Sequence, residues 1–318
     1  MLIYYTDHFV LPLPPGHRFP MRKYADLRAR VAAVAPELLR VPPAATDDEL
    51  ARAHDAAYVA AVSRGALDER AQKRIGFPWS PAMIERSRRS AGATVAACRS
   101  ALMSGWGINL AGGTHHAHRG HGEGFCVFND AAVAARAMQA EGRAGRVLIV
   151  DLDVHQGDGT AAIFAGDDSV FTLSLHGRNN FPFRKHESDL DVELDDGTGD
   201  AGYLATLDVA LPRALAAARP DLAIYLAGAD PFRGDRLGKL AMSKAGLLAR
   251  DRRVLTRLRA AGIPIAIAMA GGYADNVDDI VDIHDATVRL ARELWQREAQ
   301  VPAAAPETKP RVRARVTS

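Results

Sequence analysis

The stretch Val150-Asp151-Leu152-Asp153-Val154-His155-Gln156-Gly157-Asp158-Gly159 puts three aspartates and a histidine within eight residues, directly after an apolar run. In an extended chain, residues two apart point the same way. Asp151, Asp153 and His155 can therefore share one face where a strand ends. Carboxylate oxygen together with imidazole nitrogen suits a borderline divalent cation. A third ligand is needed, and Asp230 in Gly228-Ala229-Asp230-Pro231 is the candidate. One histidine and two carboxylates leave positions open for water and substrate, and the two carboxylates roughly cancel the charge of the ion. A turn rich in Asp and Gly that caps the next helix accounts for Asp158 between Gly157 and Gly159, but not for four ionisable groups at the exit of an apolar strand.

Four histidines stand in Gly112-Gly113-Thr114-His115-His116-Ala117-His118-Arg119-Gly120-His121. His115 and His116 can be metal ligands, or a proton-transfer pair whose pKa values are split by neighbouring carboxylates. His118 and His121 fit a histidine-rich surface loop. Asp151 and Asp158 can each accept an Nδ1–H, which fixes the tautomer and raises the basicity of that ring. Tyr273, after Gly271 and Gly272, can donate to a polarised carbonyl, or it can be a core tyrosine. Phe125 after Gly124, and Phe181 before Pro182, can wall an apolar channel, or they can be core.

These residues need a scaffold. Apolar runs at 2–5, 107–110, 147–152, 170–175, 222–227 and 263–270 are mostly continuous, the pattern of strands buried on both faces. Between them lie helical segments. Thr46 with Glu49 makes a capping box that opens a helix over 49–62. Ser80-Pro81 opens a long helix to about Met103, and 131–140, 203–218, 243–261 and 277–295 also have helical patterns. Strand alternating with helix predicts an α/β fold with a parallel sheet covered by helices on both faces. Open parallel sheets bind ligands at the carboxyl ends of their strands. The unusual polar residues above all follow apolar runs, which argues for one site.

Hydrophobic residues make up 48% and charged residues 25% of the 318-residue chain, an ordinary globular balance with room for one large domain. The formal charge is +2. Lys309, Arg311, Arg313 and Arg315 against Glu307 put +3 in the tail, so the rest stands near −1, with no basic bias towards nucleic acid. The expected organisation is one domain over 1–298 and a disordered basic tail over 299–318. Two cysteines, Cys98 and Cys126, suggest neither a disulfide framework nor a cysteine metal site. No run approaches the ~18 apolar residues of a membrane span, and a cytoplasmic protein is the expectation. Nothing in the sequence sets an oligomeric state.

With these residues in view, the chain resembles the histone deacetylase family, within the arginase–deacetylase fold. The resemblance covers roughly 2–295. It rests on GGTHHAHRGHGEGFCVFND, VLIVDLDVHQGDGT, FTLSLH, LAGADPFRGDRLG and MAGGYADN, in the family's order. His155-Gln156-Gly157, where many members have His-His-Gly, resembles the class IV deacetylases and their bacterial relatives. The resemblance implies a single α/β domain with an eight-stranded parallel sheet. It implies zinc, or iron(II) in its place, on Asp153, His155 and Asp230. It makes His115 and His116 the histidine pair, supported by Asp151 and Asp158 respectively, and Tyr273 the carbonyl-polarising tyrosine. Gly124, Phe125, Phe181, Leu237 and Gly272 become the substrate-binding residues. A structural potassium ion is implied on Asp151, Ser174 and the backbone carbonyls of Asp153, His155 and Leu175.

The expected reaction is amide hydrolysis, with His116 taking the proton of the attacking water and the leaving amine receiving a proton from His116 or the pair. Potassium near Asp151 weakens that carboxylate's pull on His115, so His115 is expected to stay neutral more readily and His116 to be the better acceptor. Asp158 is expected on a mobile Gly-Asp-Gly turn. The competing readings are an arginase-like ureohydrolase with two manganese ions and a non-catalytic protein that binds acylated ligands. The expected partner is an acylated lysine of a protein or a small acylated amine. Acetyl-lysine, fatty-acyl-lysine, acetylpolyamine and a metabolite amide all fit, with a tilt from the class IV resemblance towards longer acyl chains. The proline-rich segment 6–22 is expected to border the entrance.

Overall fold

The structure, a computed structural model, describes residues 1–300. In chain order the elements are β1 (Leu2–Tyr4), α1 (Arg22–Val34), β2 (Leu39–Arg40), α2 (Asp47–Ala51), α3 (Ala56–Ser63), α4 (Glu69–Ile75), α5 (Pro81–Ser104), β3 (Trp106–Asn109) and α6 (Asp130–Ala140). They continue with β4 (Val147–Asp151), α7 (Asp158–Phe164), β5 (Val170–Gly177), β6 (Leu190–Leu194), α8 (Asp200–Ala218), β7 (Leu222–Leu226), α9 (Lys244–Ala260), β8 (Ile265–Ala268) and α10 (Val277–Gln300). The eight strands form one parallel sheet in the order β2-β1-β3-β8-β7-β4-β5-β6.

Period two explains why the inner strands are apolar throughout. Leu148 and Val150 of β4, Ala223 and Tyr225 of β7, and Ile265 and Ile267 of β8 join the core under α1, α8, α9 and α10. Their sequence neighbours Val147 and Ile149, Leu222 and Ile224, Ala266 and Ala268 join the core under α2, α3, α5, α6 and α7. Both faces are covered, so every position must be apolar.

All six strands expected from apolar runs are present. The two that no run marked, β2 and β6, are the two edges of the sheet. β2 has only two residues, and β6 is Leu-Asp-Val-Glu-Leu, mostly half-buried. An edge strand needs less apolar surface, so its pattern is weak. Helices α1, α4 and α7 also escaped the sequence reading.

The helix expected over 49–62 is in fact two. The capping box forms, with the Glu49 amide on Thr46 Oγ1 at 3.1 Å and the Thr46 amide on Glu49 Oε2 at 2.9 Å. The helix then breaks over 52–55 because tertiary bonds compete. The Asp55 amide donates to the Arg119 carbonyl at 2.9 Å. The buried His54 ring bonds the His118 carbonyl at 2.8 Å and the Asn129 amide at 2.9 Å. The break therefore props up the histidine loop. At the other end, residues 299 and 300 still belong to α10, and the rest of the expected tail lies outside the described residues.

Candidate active site

Five contiguous strands, β3, β8, β7, β4 and β5, deliver the polar residues at their carboxyl ends. β4 ends on Asp151 itself, and Asp153 and His155 follow. The carboxylates organise this turn: Asp151 Oδ1 accepts the Asp153 amide at 3.1 Å, and Asp153 Oδ1 accepts the His155 amide at 3.0 Å. From the end of β7, Asp230 Oδ1 accepts the Val154 amide at 2.9 Å. From the end of β8, the Gly271 amide donates to Asp153 Oδ2 at 2.8 Å.

One ligand atom each from Asp153, His155 and Asp230 lies within 4.8 Å of the others, and all three residues are buried. His155 Nδ1 stands 2.9 Å from Asp153 Oδ1 and 3.4 Å from Asp230 Oδ2. Asp230 Oδ2 is buried without a hydrogen-bond partner. That orphaned oxygen would be costly unless something positive met it. Gly271 leaves the room, since a Cβ there would collide with Asp230 Oδ2. The electrostatics agree. Burial and the neighbouring Asp153 charge push Asp230 up to about 7. Burial opposes a charged His155, yet the hydrogen bond to Asp153 and the nearby Asp230 carboxylate raise it to about 10. The three residues thus concentrate negative charge around a proton, where a divalent cation would fit better.

The histidine pair sits beside this trio, with ring centroids 4.2 Å apart. His115 Nδ1–H donates to Asp151 and His116 Nδ1–H to Asp158, each at 2.6 Å. Both bonds join the partners expected from sequence, and each leaves Nε2 as the free nitrogen. Their charge states differ. Burial works against a charged His115, but Asp151 and Asp153 outweigh it and raise it to about 9. Burial and the charge on His115 hold His116 down at about 4. The two carboxylates near His115 draw that ring towards its charged form. His116 is the ring held in its neutral form, with burial and the charge beside it as the causes. Asp158 is not on a mobile turn. It is the buried first residue of α7, and Gly159 packs too tightly against the Ala117 carbonyl for any side chain.

These groups open into a cavity of about 840 Å³. On one wall Phe181 meets His116 edge-on at 4.9 Å. On the other, Phe125 packs with Phe77 at 5.3 Å, Phe19 at 5.5 Å and Tyr273 at 6.1 Å. Phe125 holds φ at 66°, a left-handed conformation that costs on the order of 1 kcal/mol. Its amide bond to the Ile75 carbonyl at 2.8 Å keeps it there. Gly124, also left-handed, lies against His116, and a Cβ there would stand 2.8 Å from the ring. Leu237 lines the same cavity. Gly272 does not line it: a Cβ there would face Ile280 and Ala229, and Gly271 takes the lining position. His17, Arg18 and Phe19 place the segment 6–22 on the cavity wall, as expected.

Some positioning residues went unnoticed in the sequence. Asp235 accepts the amides of Tyr273 at 2.6 Å, Leu237 at 2.8 Å and Gly238 at 2.9 Å, so one carboxylate fixes two cavity residues. It lies in GADPFRGD, where its acid was visible but its reach to Tyr273 was not. Lys23 and Arg86 are buried and line the cavity, and among the described residues neither makes an ion pair with a carboxylate. Lys23 Nζ instead donates to the Gly272 carbonyl at 3.3 Å and lies 5.4 Å from the Tyr273 ring centre. No sequence pattern announces a buried lysine. Away from the cavity, Ser174 pairs in register with Asp151 across β4 and β5, and its hydroxyl meets His176 Nδ1 at 2.9 Å.

An eight-stranded parallel sheet of this order, with an Asp-His-Asp trio and two His–Asp pairs at its strand ends, is the arginase–deacetylase fold. Solved structures agree. The chain superimposes on the HDA15 HD domain with a TM-score of 0.77 at 25% identity, covering 94% of this chain and 92% of that one. On a histone deacetylase homologue from Aquifex aeolicus the TM-score is 0.78 at 24% identity, over 92% and 83%. Residues 17–288 match the histone deacetylase domain, so the chain belongs to the histone deacetylase family. An uncharacterised protein of Picosynechococcus is 46% identical over 92% of this chain and 99% of its own length. Histone deacetylase 2 of Arabidopsis thaliana is 34% identical over 70% of this chain, and the acetoin utilization protein AcuC of Staphylococcus aureus 32% over 71%. This chain spans 56% and 64% of those two relatives. Among the described residues no helix is long and apolar enough to cross a membrane.

Proposed function

We propose that the chain is a metal-dependent deacylase that hydrolyses the amide of an acyl-lysine, or of a small acylated amine, to a carboxylate and a free amine. One observation carries this reading: the Asp153–His155–Asp230 trio and the neutral His116 open into the same aromatic-walled cavity. Zinc, or iron(II), on the trio would supply Lewis acidity towards an amide carbonyl and acidify water from near 16 towards about 7. His116, with Nδ1–H held by Asp158, offers Nε2 to the proton of the attacking water and passes it to the amine as the C–N bond breaks. The Tyr273 hydroxyl donates to the oxyanion, and Asp235 holds its backbone in place. Phe125 and Phe181 clasp the apolar stem of the substrate and exclude water. Lys23 and Arg86 offer their charge to the carboxylate product. Asp151, Ser174 and the carbonyls of Asp153, His155 and Leu175 are proposed to hold potassium.

The test is acid release from a panel of lysine peptides of increasing acyl length, run beside acetylpolyamines. Activity on part of that panel, blocked by SAHA, the ligand held by a related structure, is the expected result. Elemental analysis should find one tightly held Zn or Fe equivalent per chain, and two tight manganese ions would instead favour the ureohydrolase reading. Asp230→Ala that keeps full metal and full turnover would sink the assignment.

A further inference from the structure

Three imidazoles and two carboxylates that the reaction does not require as ligands gather around His118. His118 is not on a loose surface loop: it is buried, with Nε2 3.3 Å from Asp158 Oδ2. The exposed His186 packs against it at 5.2 Å between ring centres. His121 also stacks on it, at 4.4 Å and 15°, with Nε2 3.6 Å from Glu123 Oε2.

His186 is placed with some care. The Gln156 side chain accepts its amide at 2.9 Å and donates to its carbonyl at 2.6 Å, while also donating to Asp191 at 2.8 Å. Gln156 stands where many relatives in the resemblance have histidine. Here its amide clamps the His186 segment over Asp158. One ligand atom each from His118, Asp158 and His186 lies within 4.8 Å of the other two. Two imidazoles and one carboxylate, open to solvent through His186, suit a first-row dication with water completing its coordination. A hydrogen-bonded cluster serving only to steady Asp158 would need His118 but not His186.

We propose that His118, Asp158 and His186 form a second, weaker zinc site, and that filling it slows the enzyme. The link is Asp158. Its Oδ1 orients His116 at 2.6 Å, while its Oδ2 faces the proposed ion. An ion on Oδ2 competes with His116 for the charge of that carboxylate and pulls it towards solvent. The effect on turnover rests on the role proposed for His116; the binding of the ion does not.

The experiment starts from protein that carries its tightly held equivalent. Zinc is added by equilibrium dialysis and counted by elemental analysis, with turnover followed in parallel. A second equivalent is expected in the wild type and in His121→Ala, and its loss in His186→Ala. The zinc concentration that halves turnover should rise at least about tenfold in His186→Ala, with turnover at low zinc unchanged. No second equivalent in the wild type, or one that survives His186→Ala, overturns the site. Loss in His121→Ala alone puts the ion on the Glu123 side and also overturns it. A second equivalent that leaves turnover untouched overturns the coupling through Asp158. Absence of any deacylase activity defeats the functional reading and leaves the dialysis result to decide the site.

Discussion

His115–Asp151 and His116–Asp158 are two copies of one device. Each is a buried imidazole donating Nδ1–H to a buried carboxylate at 2.6 Å, and the two rings are sequence neighbours. Yet one lies near 9 and the other near 4. The hydrogen bond cannot explain the difference, since it is the same in both. What differs is the second neighbour. His115 Nε2 also faces Asp153 Oδ1 at 3.9 Å, a second negative charge. His116 shares its carboxylate with His118 and has a cation beside it. The comparison teaches that the basicity of a buried imidazole is set as much by the charge next to it as by the group that holds it.

The largest effect should come from breaking the His116 arm. His116→Ala is expected to lower turnover by roughly 1,000-fold, within the range for general acid–base catalysis, with metal content unchanged. Near-normal turnover would remove the pair from the mechanism. Tyr273→Phe lies outside both arms and should cost roughly 100-fold in turnover while substrate still binds, with the pH profile in place. A factor of two or less would return Tyr273 to the core.

The supporting carboxylates sharpen the contrast further. Asp158→Asn can still accept an Nδ1–H but loses its charge, and about a 10- to 100-fold fall in turnover is expected. Asp151→Asn acts on the arm that is not the acceptor, so its fall should be smaller when the two variants are assayed at equal metal content. Equal losses would erase the distinction between the arms.

Much of this is legible in the sequence because residue type and spacing at strand ends already limit the chemistry. Asp153, His155 and Asp230 were chosen by spacing and type, and their ligand atoms converge. The split of the two pairs was not legible. It depends on Asp153 reaching His115, a distance that no spacing rule contains. Edge strands β2 and β6 escaped because a half-buried strand needs few apolar residues. Lys23, Asp235 and His54 escaped because each acts through backbone carbonyls or amides far along the chain, and such partners leave no mark on residue type.

The finest test removes His115 and keeps everything else. With Asp158 still holding Nδ1, His116 in His115→Ala keeps its orientation and its free Nε2, so some turnover should remain. What goes is a positive charge whose ring centre lies 4.2 Å away. Two charges at that distance interact by about 4 kcal/mol at an effective dielectric of 20. Even a quarter of that moves a pKa by most of a unit. The sign is fixed: a neighbouring cation disfavours a second one, so its loss raises His116 from about 4. The proposed reaction needs His116 neutral, and the acidic limb of kcat/KM would then report its protonation in the free enzyme. That limb should therefore move to higher pH in His115→Ala, and activity near pH 5 should fall more than activity near pH 8. A limb that stays in place means His115 carries no charge in the working enzyme, so that the proposed potassium ion outweighs the pull of Asp153 on that ring. A limb that moves to lower pH contradicts the electrostatic account, and with it the claim that the second neighbour sets the base.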